Sequence, residues 1–394
     1  MTWCEYKLGE VTENFDSMRK PVKGTDRKAG SFPYYGASGI VDFVDDFIFD
    51  GEYLLIAEDG ENLRTRKTPI AFIATGKYWV NNHAHIVRGN HRANTKYLSY
   101  ALKVTDVSGY LTGSTMPKLT QGNMNQIRLE LPEILEQERI VNVLGALDDK
   151  IENNRRMNET LEEMARAIFK SWFVDFDPVH AKAAGAVPAH MDADTAALFP
   201  SSFGDDGLPE GWIRKTLGEV CTIKSGKRPP TKLTSPNNEN NISVYGGNGI
   251  AWYTNEILFE QPFIITGRVG TLGTVYRVYE KCWVSDNALC CFPNFEEAFE
   301  LVYFAMKEVD YQALNSGSTQ PLLTQTTLKN QSIIAPSEAG VLAFHQRIKV
   351  LFKKILANNE ENQTLAELRD TLLPKLMSGE IRVADAESEV EAAV

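Results

Sequence analysis

Two long stretches of the chain, residues 133–173 and 337–377, place mostly apolar side chains at alternating spacings of four and three residues. This spacing predicts two long α-helices, each with a seam that packs on a partner helix as in a coiled coil. The first seam consists of Ile140, Leu144, Leu147, Ile151, Asn154, Asn158, Leu161, Ala165, Ile168 and Trp172. Adding 204 to each number gives the second: Phe344, Ile348, Leu351, Ile355, Asn358, Asn362, Leu365, Arg369, Leu372 and Leu376. The two helices are therefore predicted to be copies of each other.

Each seam has a pair of asparagines near its middle, Asn154 with Asn158 and Asn358 with Asn362. A seam asparagine costs stability but fixes the register, because a slipped alignment buries an amide without a partner. A two-fold relation between the copies favours antiparallel helices, whereas a parallel pair, or helices packed each on its own domain, are the alternatives. The antiparallel arrangement predicts that Asn154 faces Asn362 and Asn158 faces Asn358, with Ile140 near Leu376 and Trp172 near Phe344.

The segments that precede the two helices also repeat. The pattern Trp3-x4-Leu8-Gly9-Glu10-Val11 returns 209 positions later, beginning at Trp212. Further matches follow in the same order: Arg19-x-Pro21-x-Lys23 with Arg228-x-Pro230-x-Lys232, Tyr35-Gly36-x-x-Gly39-Ile40 with Tyr245-Gly246-x-x-Gly249-Ile250, Trp79-Val80 with Trp283-Val284, and a Gly-Ser-Thr motif at 113–121 with one at 317–325. Short β-rich runs and glycine-containing turns predict a mixed α/β domain for each copy.

The predicted fold class is therefore α+β, with two similar mixed domains separated by two long helices that form an antiparallel coiled coil. The predicted boundaries are a first domain at 1–132, a central helix at 133–173, a linker at 174–210, a second domain at 211–336, a distal helix at 337–379 and an acidic tail at 380–394. Phenylalanines in the linker suggest that this segment packs against another part of the protein. The acidic tail is expected to be disordered. About 41 helical residues span about 60 Å, more than one turn of B-DNA.

Charge and composition exclude several classes of protein. The net charge of −11 argues against strong sequence-independent binding to nucleic acid, although the two domains are nearly neutral, with 16 basic and 15 acidic residues in 1–132 and 11 of each in 211–336. No apolar run reaches about 18 residues and no signal peptide is recognised, so a cytoplasmic protein is expected. The five cysteines include no C-x-x-C pair, which indicates structural thiols rather than disulfides or zinc ligands.

Several residues are candidates for contact with nucleic acid. Basic pairs around a proline, and loops rich in hydroxyl groups, suit phosphate oxygens. The phosphate candidates are Arg19, Lys23, Arg228, Lys232, Ser114, Thr115, Ser318 and Thr319. Side chains that form paired hydrogen bonds with base edges, and that differ between the copies, could read sequence. The base candidates are Arg64, Arg66, Lys67 and Asn82 in the first copy, and Lys227, Asn248, Arg268 and Gln320 in the second.

Structural roles are the alternative at each of these positions. The basic residues could be solvated surface charges, and Thr120 and Thr324, which follow the Gly-Ser-Thr loops, could cap short helices. His83 and His85 share a strand face as two metal ligands might, but the second copy has Asn287 and Leu289 there, so structural roles are favoured. The chain lacks a phosphate-binding P-loop, an amino-methyltransferase Asp/Asn-Pro-Pro-Tyr/Phe motif and a nuclease carboxylate cluster, and Asp148-Asp149-Lys150 is interpreted as solvated charge. No catalytic and no metal site is predicted.

The two-copy plan resembles the specificity subunits of type I restriction-modification systems. The strings LGALDDKIENNRRMNETLEEMARAIFKSWFVDFDPV, after the first domain, and LLPKLMSGEIRV, after the second, carry this resemblance. It implies two target-recognition domains that each read half of a bipartite DNA site, and helices that set the unread spacer. It also implies two modification subunits that use S-adenosylmethionine and restriction subunits that use ATP and Mg, with no cofactor bound by this chain. A coiled-coil scaffold that does not touch DNA, or a self-contained methyltransferase or nuclease, are the alternative functions.

Overall fold

The structure, a computed structural model, describes residues 3–317 and 320–393. They divide into two compact units, unit 1 formed by Met1–Arg155 with Asn359–Val394, and unit 2 formed by Arg156–Asn358. Each unit contains one copy of the repeat and part of each long helix. The predicted mixed fold and long helices are thus confirmed.

Ten short strands form the sheets of unit 1 within its described residues. They are β1 (Cys4–Lys7), β2 (Thr12–Asn14), β3 (Ala29–Gly36), β4 (Gly39–Val44), β5 (Phe49–Asp50), β6 (Tyr53–Ala57), β7 (Ala71–Ala74), β8 (Lys77–Val80), β9 (Ala84–Gly89) and β10 (Arg128–Leu131). The α-helices that begin within residues 3–155 are α1 (Leu8–Val11), α2 (Asn62–Thr65), α3 (Thr95–Val104), α4 (Gln121–Met124) and the long α5 (Ile134–Phe173), which continues into unit 2.

Unit 2 repeats this plan. Its strands are β11 (Ile213–Thr216), β12 (Cys221–Ser225), β13 (Ile242–Gly246), β14 (Gly249–Thr254), β15 (Phe263–Gly267), β16 (Val275–Val278), β17 (Trp283–Val284), β18 (Ala288–Pro293) and β19 (Ser332–Ala335). Its helices are α6 (Asp177–Ala183), α7 (Ala193–Ala197), α8 (Leu217–Val220), α9 (Phe299–Lys307), α10 (Gln325–Lys329) and the long α11 (Glu338–Ser378), which continues into unit 1.

Sheet topology shows that the two copies share one fold. Unit 1 has a four-stranded sheet in the order β2-β9-β6-β7, and unit 2 has one in the order β12-β18-β15-β16. The second sheets correspond as well, with parallel pairing of β3 and β8 in unit 1 and of β13 and β17 in unit 2. The first and last strands of each copy pair antiparallel, β1 with β10 and β11 with β19.

The long helices pair antiparallel inside each unit, and every predicted seam residue is buried or half-buried. In unit 1, the Asn154 amide donates to Oδ1 of Asn362 at 3.0 Å, and Ile140 shares one apolar core with Leu376. In unit 2, the Asn358 amide donates to Oδ1 of Asn158 at 2.8 Å. The ring centroids of Trp172 and Phe344 in the same unit lie 5.9 Å apart. Both predicted asparagine pairs and the proximity of Trp172 to Phe344 are therefore confirmed, and Ile140 and Leu376 lie in the same apolar core.

The charged residue in the second seam, Arg369, is accommodated by an ion pair. Its guanidinium lies 2.8 Å from a carboxylate oxygen of Asp148, and the other Asp148 oxygen accepts from the Tyr100 hydroxyl at 2.7 Å. Asp148 is therefore a partly exposed, ion-paired carboxylate rather than a freely solvated charge. Its half-buried carboxylate joins both long helices and α3 in unit 1.

The linker packs on unit 2, as its phenylalanines suggested. Val179 in α6 and Phe199 after α7 are buried in the core of that unit. The Phe199 ring lies 5.1 Å from that of Trp172 and 6.1 Å from that of Trp212. The linker thus connects the end of α5 to the start of the second copy through aromatic contacts.

The tail is helical, which corrects the expectation of disorder. Residues Val383–Glu391 form α12, and Val383, Ala386 and Val390 are buried in the core of unit 1. These apolar residues lie three and four positions apart, so they share one helix face. None of the helices in the parts of the chain that the structure describes has the length and apolarity needed to cross a membrane.

Candidate nucleic-acid interface

In unit 1, three segments meet where β6 ends: residues 58–60, the turn at 81–83 and the loop at 113–119. The Glu58 N–H donates to the His83 carbonyl at 2.9 Å, and the Leu119 N–H donates to the Glu58 carbonyl at 2.7 Å. The Gly60 N–H donates to the Pro117 carbonyl at 3.2 Å. Backbone hydrogen bonds thus hold the Gly-Ser-Thr loop against the end of the sheet.

Unit 2 has the same three bonds where β15 ends. The Arg268 N–H donates to the Asn287 carbonyl and the Leu323 N–H to the Arg268 carbonyl, both at 2.8 Å. The Gly270 N–H donates to the Pro321 carbonyl at 3.0 Å. Arg268 therefore occupies, in the second copy, the position that Glu58 occupies in the first.

A glycine-rich hairpin turn is a further feature that the two copies share. Gly39 and Gly249 have φ of +120° and +109°, which favours glycine at the turn that joins β3 to β4 and β13 to β14. The next residues, Ile40 and Ile250, are each 49% exposed. An exposed apolar side chain suits contact with a thymine methyl group. The repetition of this isoleucine in both copies is the sequence signal from which Ile40 and Ile250 could have been predicted as candidate DNA contacts.

A buried charge network fills the interior behind the unit 1 loops. The Arg19 guanidinium lies 2.6 Å from a carboxylate oxygen of Glu58 and donates to the Ala84 carbonyl at 2.9 Å. His85 has Nδ1 2.6 Å from the carboxylate of Asp16. Burial alone would raise the pKa of Asp16, but the hydrogen bond and charge of His85 hold it below its ordinary value. Burial would also raise the pKa of Glu58, but its hydrogen bonds with Arg19 and Lys118 hold that pKa below its ordinary value.

Arg19 is therefore committed to internal partners, which speaks against its predicted contact with phosphate. The repeated Arg-x-Pro-x-Lys motif also does not occupy equivalent positions in the two copies. The Trp79 indole donates to the Lys20 carbonyl at 2.6 Å, whereas the Trp283 indole donates to the Lys227 carbonyl at 2.8 Å. The 3-10 turn Asp16–Met18 lengthens the first copy by two residues, so Lys20 corresponds to Lys227 and Arg19 to Gly226.

The other basic phosphate candidates are exposed. Lys23, Arg228 and Lys232 all lie on the surface. The Lys232 ammonium is 4.2 Å from the centroid of the Trp252 ring. Arg228 has no ion pair or hydrogen bond from its side chain within the described residues, so it can bind a phosphate without losing an internal contact.

The internal hydrogen bonds of Arg66 speak against its predicted contact with a base in the first copy. Its φ is +49°, and its guanidinium donates to the carbonyls of Leu102 and Thr105 at 2.5 Å each. It therefore satisfies the carbonyl groups at the end of α3, where a cation is favourable. The adjacent Lys67 is exposed and lines a groove with Arg369 and Pro374 rather than the loop surface.

Arg64 and Asn82 do lie beside the loops of unit 1. The exposed Arg64 donates to the Gly113 carbonyl at 3.0 Å. Asn82 is exposed in the turn between β8 and β9. Both side chains can reach a ligand that covers the loop surface.

The second copy brings its four base candidates to the same end of the fold. The Asn248 side chain bonds the Thr271 and Thr274 hydroxyls at 3.1 and 3.2 Å, and exposed Gln320 belongs to the loop that Gly270 contacts. Lys227 is exposed next to β17. Arg268 is half-buried at the centre of these segments. Asn248 and Thr271 also line a concavity of about 250 Å³ with the glycine-rich hairpin.

The Gly-Ser-Thr loops present hydroxyl groups at the surface of the first copy, where Ser114 and Thr115 are exposed. Their counterparts Ser318 and Thr319 lie outside the described residues. The threonines after the loops have the predicted capping role. The Thr120 hydroxyl accepts from the Asn123 N–H at 3.3 Å, and the Thr324 hydroxyl accepts from the Thr327 N–H at 3.0 Å.

The histidines and cysteines have structural roles. Both ring nitrogens of buried His85 are bonded, to Asp16 and to the Leu119 carbonyl, and exposed His83 pairs with Asp59 at 2.8 Å. No group of three potential metal ligands occurs within residues 3–317 and 320–393. All the cysteines except Cys4 are buried, and burial raises the pKa of Cys282 to about 12.

Comparison with known proteins bears directly on this duplicated arrangement. The family model of the type I restriction modification DNA specificity domain matches residues 1–163 and again residues 209–368. The chain belongs to this family. Each specificity domain match covers one globular copy and most of the long helix that follows it.

The chain is also similar to curated proteins over nearly the whole length of each. The chain is 26% identical over 475 residues to the specificity subunit of the type I restriction enzyme HindI from Haemophilus influenzae, covering 96% of this chain and 99% of that protein. It is 24% identical to the MjaIX specificity subunit of Methanocaldococcus jannaschii, covering 97% and 94%. The crystal structure of a type I S subunit from M. genitalium covers 95% of this chain and 96% of its own, with a TM-score of 0.59 at 16% identity. That likeness supports the specificity-subunit fold.

Proposed function

We propose that this chain is the sequence-reading subunit of a type I restriction-modification complex, and that each globular copy binds one half of a bipartite DNA target. The bound surface is the end of each copy that carries the glycine-rich hairpin and the Gly-Ser-Thr loop. Exposed Lys23 and Arg228 supply phosphate contacts, and Arg64, Asn82, Asn248 and Gln320 face the bases.

The observation that carries this proposal is the duplication itself. Equivalent backbone hydrogen bonds hold residues 58–60 and 268–270 in the same conformation, yet the side chains there differ in charge. A shared scaffold with different surface residues is what two domains need when each must read a different sequence.

The helices α5 and α11 act as the spacer in this proposal. A helix of 40 residues is about 60 Å long, which exceeds the roughly 34 Å of one turn of B-DNA. The asparagine pairs fix the helix alignment, so the length of the unread spacer is fixed as well.

The chemistry belongs to partner subunits. Two modification subunits that use S-adenosylmethionine bind the chain, and restriction subunits that use ATP and Mg join them in the cytoplasm. The chain itself is not catalytic: it binds DNA and positions its partners. The purified chain alone is therefore expected neither to methylate nor to cut DNA, and methyl transfer by the chain alone would contradict the proposal.

The main test is single-molecule methylation sequencing of a host that expresses the chain with its modification subunits. The expected result is one bipartite methylated motif with a constant spacer. Replacing residues 1–132 by the recognition domain of another specificity subunit should change one half-site and leave the other. A change in both half-sites, or no bipartite motif, would refute modular reading.

The spacer is tested by lengthening both helices together. One heptad inserted between Asn158 and Leu161, with a matching heptad between Ile355 and Asn358, adds about 10 Å. The spacer should then grow by about three base pairs, since each occupies about 3.4 Å. An unchanged spacer in an assembled complex would eliminate the ruler. A heptad in α5 alone is the control and should abolish assembly.

A further inference from the structure

Arg268 occupies a position at which the two copies have opposite charge. In unit 1, the equivalent Glu58 carboxylate lies 2.6 Å from the guanidinium of Arg19 and 3.1 Å from the ammonium of Lys118. His85 lies 3.9 Å away. The acidic side chain is thus surrounded by basic groups that neutralise it.

None of those groups has a charged counterpart in unit 2. The backbone correspondence places Gly226 at the position of Arg19, Leu289 at that of His85 and Leu322 at that of Lys118. The Gly226 N–H even takes over one bond of the Arg19 guanidinium, since it donates to the Ala288 carbonyl at 3.2 Å as Arg19 does to Ala84. Arg268 therefore has uncharged neighbours at all three positions.

The guanidinium of Arg268 is left unpaired by this arrangement. Its Nε is buried without a hydrogen-bond partner, and no ion pair or hydrogen bond of its side chain is formed within the residues that the structure describes. A half-buried guanidinium without partners lowers the stability of the free protein, because its lost hydration is not replaced. Such a cost is explained when the group acquires its partners from a ligand.

We infer that Arg268 is the specificity-determining residue of the second copy and that it binds a guanine of the corresponding half-site. Arginine forms paired hydrogen bonds with N7 and O6 of guanine, and this is the commonest specific contact in the major groove. Backbone bonds on both sides of Arg268 fix its position, as base reading requires. The exposed Lys227 and Arg228, on the neighbouring segment, suit phosphate instead. This inference rests on the proposed function.

The test compares Arg268→Met with Arg228→Ala in the complete complex with modification subunits. Arg268→Met keeps a long apolar side chain but removes the guanidinium. The half-site of the second copy should lose discrimination at one guanine by about 10-fold to 100-fold, while the other half-site is unchanged. The Tm of the free chain should stay the same or rise. Arg228→Ala should weaken binding to all sequences and reduce the salt dependence by about one phosphate contact.

Each other outcome overturns the inference. Equal loss of affinity for all sequences in Arg268→Met would make Arg268 a phosphate contact. A lower Tm of Arg268→Met would show that Arg268 is a structural residue. A target whose second half-site contains no guanine would show that Arg268 has a different ligand or none. Failure of the proposed function is distinguishable, because the unmodified complex would then give no bipartite methylation motif at all.

Discussion

Where the third strand of the four-stranded sheet ends, the first copy has Glu58 and the second has Arg268, held by the same backbone hydrogen bonds. Around Glu58, Arg19 and Lys118 complete an internal charge network. Around Arg268, no described residue supplies a counter-charge. The same scaffold therefore carries charges of two kinds. Charged side chains with internal partners, such as Glu58, stabilise the fold, whereas a charged side chain without partners in the described part of the chain, such as Arg268, is available to a ligand.

The largest expected effect comes from placing the second copy's residue in the first copy. Glu58→Arg brings a guanidinium against Arg19, Lys118 and His85 and should destabilise unit 1 by about 4 kcal/mol. Urea unfolding, followed by hydrogen exchange of peptides from each unit, measures the loss where it occurs. Glu13→Ala is the control, because it breaks only the exposed pair with Arg88 and should cost less than about 0.5 kcal/mol.

The double variant Arg19→Gly with Glu58→Arg makes this comparison sharper. It reproduces the Gly226 and Arg268 combination of the second copy, so it should recover part of the lost stability. Equal destabilisation of the single and double variants would show that the charge of Arg19 does not matter at this position.

The second effect concerns the seam, where the copies agree. Asn158→Ala removes the acceptor for the fully buried amide of Asn358 and should cost about 2 kcal/mol in unit 2. Asn154→Ala should cost less in unit 1, because the Asn362 amide that it leaves is only half-buried and can be hydrated. Thermal unfolding of both variants gives the two values. Equal losses would contradict this assignment of the difference to burial.

Sequence reasoning succeeded where one residue pattern determines one geometry. The repeat offset of 204 residues matched the seams position for position, and the asparagine pairs specified which residues meet if the helices are antiparallel. The unit 1 pair of Asn154 with Asn362 and the unit 2 pair of Asn158 with Asn358 follow from that register. Periodicity and pairing of polar groups are local properties that the sequence displays directly.

Predictions from the sequence failed where a contact depends on the path of the backbone. The Arg19 and Arg228 motifs look equivalent, but the 3-10 turn Asp16–Met18 shifts them by two residues. Arg66 was chosen for its side chain, whereas its left-handed backbone and the nearby end of α3 direct it to carbonyl groups. The sequence of α12 contains the apolar spacing of a helix, but the acidic composition of the tail led to the wrong prediction of disorder.

The third effect is a pH dependence that arises from the charge network of the first copy. The folded-state pKa values of Asp16 and Glu58 lie below their ordinary values, so their ionised forms contribute stability above about pH 5 that is lost as the pH falls through the folded-state values. Each pKa unit of lowering corresponds to about 1.4 kcal/mol. Unit 1 should therefore unfold at lower urea concentration at pH 4 than at pH 7.

Arg19→Met is the matched variant for this pH dependence. It removes a cation that lowers both pKa values, so the stability difference between pH 7 and pH 4 should shrink in unit 1. Hydrogen exchange in unit 2 reports on the same sample and serves as the internal reference. A pH dependence unaffected by this substitution would exclude the Arg19 network as its source.

The smallest effect tests whether repeated residues serve the scaffold alike in both copies. Thr120→Ala and Thr324→Ala each remove a hydroxyl that accepts the N–H three residues later. Each should cost about 1 kcal/mol, to a similar extent, and leave the methylated motif unchanged. Thr→Ser at either position keeps the hydroxyl and should retain most of the stability. If only one of the two alanine variants altered the motif, that threonine would contact DNA, and the separation between repeated scaffold residues and divergent reading residues would fail at that site.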